Sequence, residues 1–352
     1  MAQDKRYDSG DAYDVVVIGG GPAGLSAALM LGRARRSVLV IDAGHPRNAP
    51  AAHLHGFLSR DGVPPGELLA AGRAQATGYG VVVVTGQASS AARDGAGFAV
   101  GLDGGRTVRA RRLLVAAGVT DELPDVPGLA ARWGRDVVHC PYCHGWEIRD
   151  QPIGVLATGP FGVHQALLFR QWTASVTLFL HTAPEPTPEQ AEQLAARGIA
   201  VVRGKVAGLD VTGDRLTGVR LSGGGVLAVR ALAVAPDPAP RSDILTALGV
   251  TPTAHASGIG AYIAADPTGQ TPAAGVWVAG NVADPHANVL ACANSGSLVA
   301  AAINADLIAE DTRQAVRAYN APFSAGAQAR NCEQVMGDRR HGLAGVVHPD
   351  DS

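Results

Sequence analysis

Asp14-Val15-Val16-Val17-Ile18-Gly19-Gly20-Gly21-Pro22-Ala23-Gly24 runs from an apolar stretch straight into a glycine loop. Residues 14–18 are short, β-branched and apolar, the pattern of a strand buried on both faces. A helical stretch, Leu25 to Arg35, follows the loop. Gly19, Gly21 and Gly24 satisfy G-x-G-x-x-G: one glycine for the tight turn, one for close approach of a pyrophosphate, one for packing helix on strand. Pro22 and Ala23 complete the loop, and a pyrophosphate belongs at the helix N-terminus beside them. A second apolar strand, Ser37 to Ile41, ends at Asp42, near the spacing at which a carboxylate binds the adenosine ribose hydroxyls. In a chain with 45 glycines the loop alone says little. Strand, loop, helix, strand and acid in this order predict dinucleotide binding.

Working outward, Ile153-Gly154-Val155-Leu156-Ala157-Thr158-Gly159-Pro160-Phe161-Gly162 runs into Val163 to Trp172 and has the outline of a second such unit. Ala157 replaces its first glycine, and Pro160-Phe161 bring bulk into the loop. Its second strand, Ser175 to Leu180, ends in His181-Thr182-Ala183-Pro184. Neither the acid that selects NADH nor the arginine cluster that holds a 2′-phosphate is there. A third segment, Gly275 to Asp284, is a strand ending in a polar loop that leads into an alanine-rich helix, Asn288 to Leu307. A polar residue at such a strand end commonly faces the ribityl or phosphate part of a flavin, and the helix can aim its N-terminus at the ring. Gly280, Asn281, Asn288 and Val289 are the cofactor candidates here.

Between the first two units lies His139-Cys140-Pro141-Tyr142-Cys143-His144-Gly145. A C-x-x-C spacing lets both sulfurs sit at a helix start, where the local positive field lowers a thiol pKa. The default reading is a dithiol/disulfide switch. C-x-x-C-H is also the attachment signature of c-type haem. A structural zinc site would need a second ligand pair, and Cys292 and Cys332 are isolated. No metal ligand set is expected.

At 352 residues and 47% hydrophobic content the chain can hold two domains with sizeable cores. A net charge of −2 implies no nucleic-acid or membrane-surface partner. No apolar run approaches the ~20 residues of a membrane span, and residues 1–13 contain no apolar export region. A cytoplasmic location is expected, where a C-x-x-C pair is more often catalytic or metal-binding than structural.

Together these motifs resemble the low-molecular-weight thioredoxin reductase family over roughly residues 12–320. The resemblance implies an α/β fold with two Rossmann-like dinucleotide-binding domains in three-layer ββα arrangement. It divides the chain into a first FAD-binding segment (1–123), an inserted, degenerate NAD(P)-type domain carrying the C-x-x-C (124–245), a second FAD-binding segment (246–320) and a C-terminal tail (321–352). Val115-Ala116-Ala117-Gly118-Val119 would close the first FAD segment, adding Ala117 and Gly118 to the cofactor contacts. Cys143 would be the flavin-facing thiol and Cys140 the interchange thiol, and the family is usually a homodimer.

The departures narrow the expectation. Where thioredoxin reductases carry aspartate after the second cysteine this chain has His144; where their last FAD motif has aspartate it has Asn281; where they have a His-Arg-Arg-type NADPH cluster it has Leu180-His181-Thr182. These features look similar to the dithiol oxidases of the gliotoxin and holomycin type, in which a flavin takes electrons from a small dithiol and passes them to O2. On that resemblance FAD is used and NADPH is not, the partners are a small-molecule dithiol and O2, and H2O2 is the product. The alternative is a thioredoxin-disulfide reductase driven by NADPH or ferredoxin. His144, near its reference pKa of about 6.5, is the residue suited to take and return protons during exchange. His53, His55 and Tyr142 are expected to line the substrate pocket.

Overall fold

The computed structural model describes residues 10–321 and 324–336; the remainder of the predicted tail, from 337, lies outside the described residues. The chain opens with β1 (Ala12–Ile18), α1 (Pro22–Arg33), β2 (Val38–Asp42), α2 (Pro65–Gly78) and β3 (Val82–Thr85), followed by the antiparallel run β4 (Ala88–Asp94), β5 (Gly97–Leu102) and β6 (Thr107–Val115). They form one sheet in the order β3-β2-β1-β6-β5-β4. β1 lies between β2 and β6, parallel to both, with Val15 opposite Val38 on one side and Arg112 on the other. Its central position explains the unbroken valine run, because Val15, Val16 and Val17 all have covered side chains. α1 begins at Pro22, three residues before the predicted start. Proline has no N–H to lose in a first turn and a φ already suited to it.

β7 (Val119–Glu122) leaves this sheet. A second sheet is assembled from β8 (Val137–Val138), β9 (Ile153–Leu156), β10 (Val176–Phe179), β11 (Ala200–Val202) and a later strand. Between its strands run α3 (Pro141–His144), α4 (Phe161–Phe169) and α5 (Pro188–Ala196). An antiparallel trio, β12 (Val206–Thr212), β13 (Arg215–Leu221) and β14 (Val226–Leu227), precedes β15 (Ala231–Val234), which completes the parallel order β11-β10-β9-β15-β8. Successive residues of its strands face opposite layers. Val155, Leu178 and Ala233 pack with Ala166 and Phe169 of α4, whereas Leu156, Phe179 and Leu232 pack with Leu209 and Leu216 of the antiparallel trio. Helix, parallel sheet and antiparallel sheet therefore make the three ββα layers, and each fully buried large side chain adds about 1.5–3 kcal/mol.

β16 (Asp237–Pro240) pairs antiparallel with β7. After α6 (Asp243–Ala247) and the short pair β17 (Thr253–Ala254) and β18 (Ala261–Tyr262), β19 (Val276–Val278) pairs parallel with β6, placing Val276 opposite Leu113. The first sheet is thus completed by residues that come after the whole second sheet in sequence. α7 (Val289–Asn320) is longer than the predicted 288–307. No glycine or proline interrupts 297–321, and the helix stops just before Pro322. By length and composition alone α7 could cross a bilayer, unlike any run identified in the sequence. Its first turns are instead built into the fold: Gly296 lies against the Ala23 backbone, and Ser295 Oγ accepts the Gly280 N–H at 3.1 Å. α8 (Ala325–Met336) is joined to the end of α7 by Arg330, whose guanidinium lies 3.9 Å from the Tyr319 ring centroid.

Candidate active site

Gly19 has φ +107°, and a Cβ there would lie 2.3 Å from the Ala116 carbonyl oxygen, while a Cβ on Gly24 would lie 1.9 Å from the Gly19 carbonyl oxygen. These glycines therefore bring β1, the end of β6 and α1 into contact that no side chain would permit. Gly24 does this by packing and does not line a cavity. Gly19, Gly21, Pro22 and Ala23 do, together with Asp42, Ala117, Gly118, Gly280, Asn281, Asn288 and Val289, around a space of about 670 Å3. That volume is within the range of about 300–1,000 Å3 typical of cofactor sites.

Nothing lies within 4 Å of a Cβ position on Gly21, so the loop is open where a pyrophosphate would approach the α1 N-terminus. Asp42 is only 9% exposed and accepts the Gly20 N–H at 3.2 Å. Arg73 from α2 also pairs with it, a partner the sequence did not reveal. Asn281 spends its Nδ2 on the carbonyls of Asp284 (3.0 Å) and Ala287 (2.8 Å), so what it can offer a ligand is its Oδ1. Asn288 caps α7 by accepting the Ala291 N–H at 2.8 Å. The residues present fit an FAD, held by the glycine loop, Asp42 and the α7 N-terminus.

The same cavity is lined by Cys140, Cys143, His144, His53 and His55. Cys140 is the N-cap of α3 and both sulfurs are thiols. The Cys143 thiol donates to Cys140, and the Cys143 and Tyr142 N–H groups add to it, bringing Cys140 down to about 7. Cys143 is pushed strongly up, first by that donation to Cys140 and then by burial. The negative charge of the reduced pair therefore collects on Cys140. Burial pushes the His144 imidazolium down, so the ring is a neutral base at neutral pH, and its buried Nδ1 has no hydrogen-bond partner among the described residues. His139, just past β8, is likewise lowered by burial, and its Nδ1 lies 3.3 Å from the Val234 carbonyl oxygen.

Tyr142 does not line the cavity. It is 72% exposed, and its ring meets Trp172 edge-on at 5.6 Å. Of the two residues between the cysteines, the helical turn that aims both sulfurs inward buries Pro141 and sends Tyr142 outward. Arg47, in contrast, lines the cavity and was not singled out in the sequence. It grips Asp121 through Nε (2.9 Å) and Nη2 (2.6 Å) and donates to the Pro285 carbonyl at 2.8 Å. Its charge draws Cys143 down, against the larger upward influences.

The second glycine loop is different in kind. Pro160, which has no N–H, is the N-cap of α4, and Phe161 opens the helix. His181 Nδ1 accepts the Val206 N–H at 3.0 Å, so the imidazole at the position of the family's phosphate-binding cluster serves the backbone of β12.

A family model described as pyridine nucleotide-disulphide oxidoreductase matches residues 13–305. The thioredoxin reductase tcpT of Claviceps purpurea is 41% identical over 179 residues, so the match spans 47% of this chain and about half, 54%, of that protein. The thioredoxin reductase sirT of Leptosphaeria maculans is 30% identical over 316 residues, 85% of this chain and 95% of that protein. The crystal structure of HlmI shares 48% identity with a TM-score of 0.82, covering 88% of this chain and 96% of its own. The chain belongs to the pyridine nucleotide-disulphide oxidoreductase family, as a thiol/disulfide oxidoreductase with the thioredoxin reductase-like α/β fold.

Proposed function

We propose that the chain is an FAD-dependent dithiol oxidase that closes a disulfide in a small-molecule dithiol and hands the electrons to O2, giving H2O2. The observation that carries this reading is the contrast between the two glycine loops. The first is open beside a cavity that also holds the dithiol and a neutral histidine. The second is capped by Pro160 and Phe161, with His181 committed to Val206. His181, held neutral by burial and by the Lys205 charge and committed to the Val206 N–H, is poorly suited to hold a nicotinamide nucleotide's phosphates. NADPH is on this reading not the electron source.

The residues support the following exchange. His144 removes a proton from the first substrate thiol, and the thiolate attacks Cys140 Sγ of the oxidised pair, breaking the S–S bond and releasing Cys143. The substrate's second thiolate then attacks its own sulfur in the mixed disulfide and expels Cys140. The depressed Cys140 pKa makes it the better leaving group for that release. Two electrons pass from substrate to the enzyme pair and two protons leave the substrate. FAD, when bound, supplies the two-electron acceptor that restores the Cys140–Cys143 disulfide and passes electrons to O2.

We also propose residues 1–123 and 246–320 as the FAD domain, residues 124–245 as its insert, a homodimeric assembly and a cytoplasmic location. The competing reading, a thioredoxin-disulfide reductase driven by NADPH or ferredoxin, draws support from Tyr142 and Trp146, which are 72% and 66% exposed beside the dithiol and could meet a protein partner. Anaerobic mixing with NADPH separates the two. The oxidase leaves its flavin absorbance unchanged with NADPH, loses it with a dithiol, and consumes O2 stoichiometrically with H2O2 formation. Rapid bleaching by NADPH would sink the oxidase reading.

A further inference from the structure

Closing a disulfide strips two protons from the dithiol; in the reduced enzyme pair Cys143, held as a thiol, takes one, and the other is left over where Cys140 stays a thiolate. His144 is placed to take it but not to keep it, since its Nδ1 is buried without a partner among the described residues. That proton leaves the site during exchange and returns when O2 is reduced to H2O2, and a set of groups able to pass it to and from solvent stands beside the cavity. His55, on the loop between β2 and α2, lines the same cavity. Its Nδ1 is 3.4 Å from Asp61 Oδ2 and its Nε2 is 3.4 Å from Glu147 Oε1. Glu147 lies in the turn three residues past His144. Exposure rises outward along the set, from 23% for the His55 side chain to 40% for Glu147 and 67% for Asp61. The Gly56 N–H, donating to Asp61 Oδ1 at 2.8 Å, fixes the outer carboxylate.

We propose that His55, held between Asp61 and Glu147, carries the proton released at the dithiol from His144 to solvent. An imidazole can accept at one nitrogen while the other gives its proton up, and a carboxylate stands on each side of this one to receive it. The groups facing His55 are Asp61 and His53 from its own loop, with a ring separation of 6.4 Å to His53, and Glu147 and His144 from the α3 segment. Lysine and arginine are not among the groups that shift His144. His55 touches neither reacting sulfur in this account; it acts through His144. The inference rests on the exchange chemistry proposed above.

The test is a single anaerobic turnover. Oxidised holoenzyme is mixed with dithiothreitol, and the enzyme thiols that appear are trapped by rapid alkylation and counted by mass spectrometry. With His55→Gln the exchange slows by about 10-fold, and added imidazole restores it. Glu147→Gln and Asp61→Asn, altering more exposed groups, slow it by about 2- to 5-fold each. The alkylation of Cys140 in the reduced protein keeps its wild-type pH profile in all three variants. Exchange at the wild-type rate in His55→Gln overturns the relay and leaves the function intact. So does slowing that imidazole does not relieve, the mark of a packing role. Wild-type enzyme that does not exchange with the dithiol overturns the proposed function and the relay with it.

Discussion

Replacing Cys143 by alanine removes the largest single influence holding Cys140 as a thiolate, the Cys143 thiol that donates to it. Cys140 lies at about 7 against an ordinary 9.0. At neutral pH a thiol at 7 is half ionised and one at 9 is about 1% ionised, so complete loss of the shift lowers the thiolate population about 50-fold. The more basic thiolate is also the better nucleophile. A Brønsted slope of about 0.4–0.5 returns a factor of about 6–10 over that difference. Iodoacetamide alkylation of Cys140 at neutral pH is therefore slowed by about 5- to 8-fold at most, since the Cys143 and Tyr142 N–H groups remain and keep part of the shift. The midpoint of the alkylation profile moves upward from about 7 toward the ordinary value. Cys143→Ser retains an O–H donor in the same place and shows a smaller displacement. The measurement is the alkylation rate of reduced protein as a function of pH, read by mass spectrometry at Cys140. A midpoint that stays near 7 in Cys143→Ala would refute the view that the partner thiol sets the charge distribution of the pair.

His144→Gln is expected to slow anaerobic exchange with a dithiol by about 10²- to 10⁴-fold, the usual worth of a positioned base, while Cys140 alkylation changes little. Because burial lowers His144 below its ordinary 6.5, wild-type exchange holds down to that pH and falls as the ring protonates below it; a stopped-flow pH profile checks this, and the variant lacks the limb. Gly24→Ala forces a Cβ to within 1.9 Å of the Gly19 carbonyl oxygen, so the α1–β1 packing opens. Flavin retention on gel filtration is lost, and the melting transition drops by the equivalent of about 1–3 kcal/mol. Arg132, with a side chain 7% exposed, bridges Asp136 and Asp214. Arg132→Ala leaves the Asp136 carboxylate uncompensated and costs about 3–5 kcal/mol in denaturant unfolding, with dithiol exchange in the folded protein unaffected.

The sequence by itself determined the parts of this protein whose physics is local. A central parallel strand has to be apolar on both faces, so Val15 to Ile18 announce it. A glycine loop feeding a helix N-terminus, a dithiol at C-x-x-C spacing and Pro160-Phe161 in a second loop are each contained in a dozen neighbouring residues, where backbone geometry alone gives them meaning. Tertiary structure decided what depends on residues far apart in the chain. Arg47 meets Asp121 and the Pro285 carbonyl across separations of 74 and 238 residues, and only the return of β19 to the first sheet brings that last loop within reach. Arg73 reaches Asp42 from α2, and Glu147 closes on His55 from the segment after α3. The outward turn of Tyr142 was also beyond the linear pattern, because C-x-x-C spacing fixes the phase of the helix turn but not which side of it faces the cavity. Side-chain charge and proton traffic belong to such long-range neighbours, since a pKa answers to whatever lies within a few ångströms, whichever part of the chain supplies it.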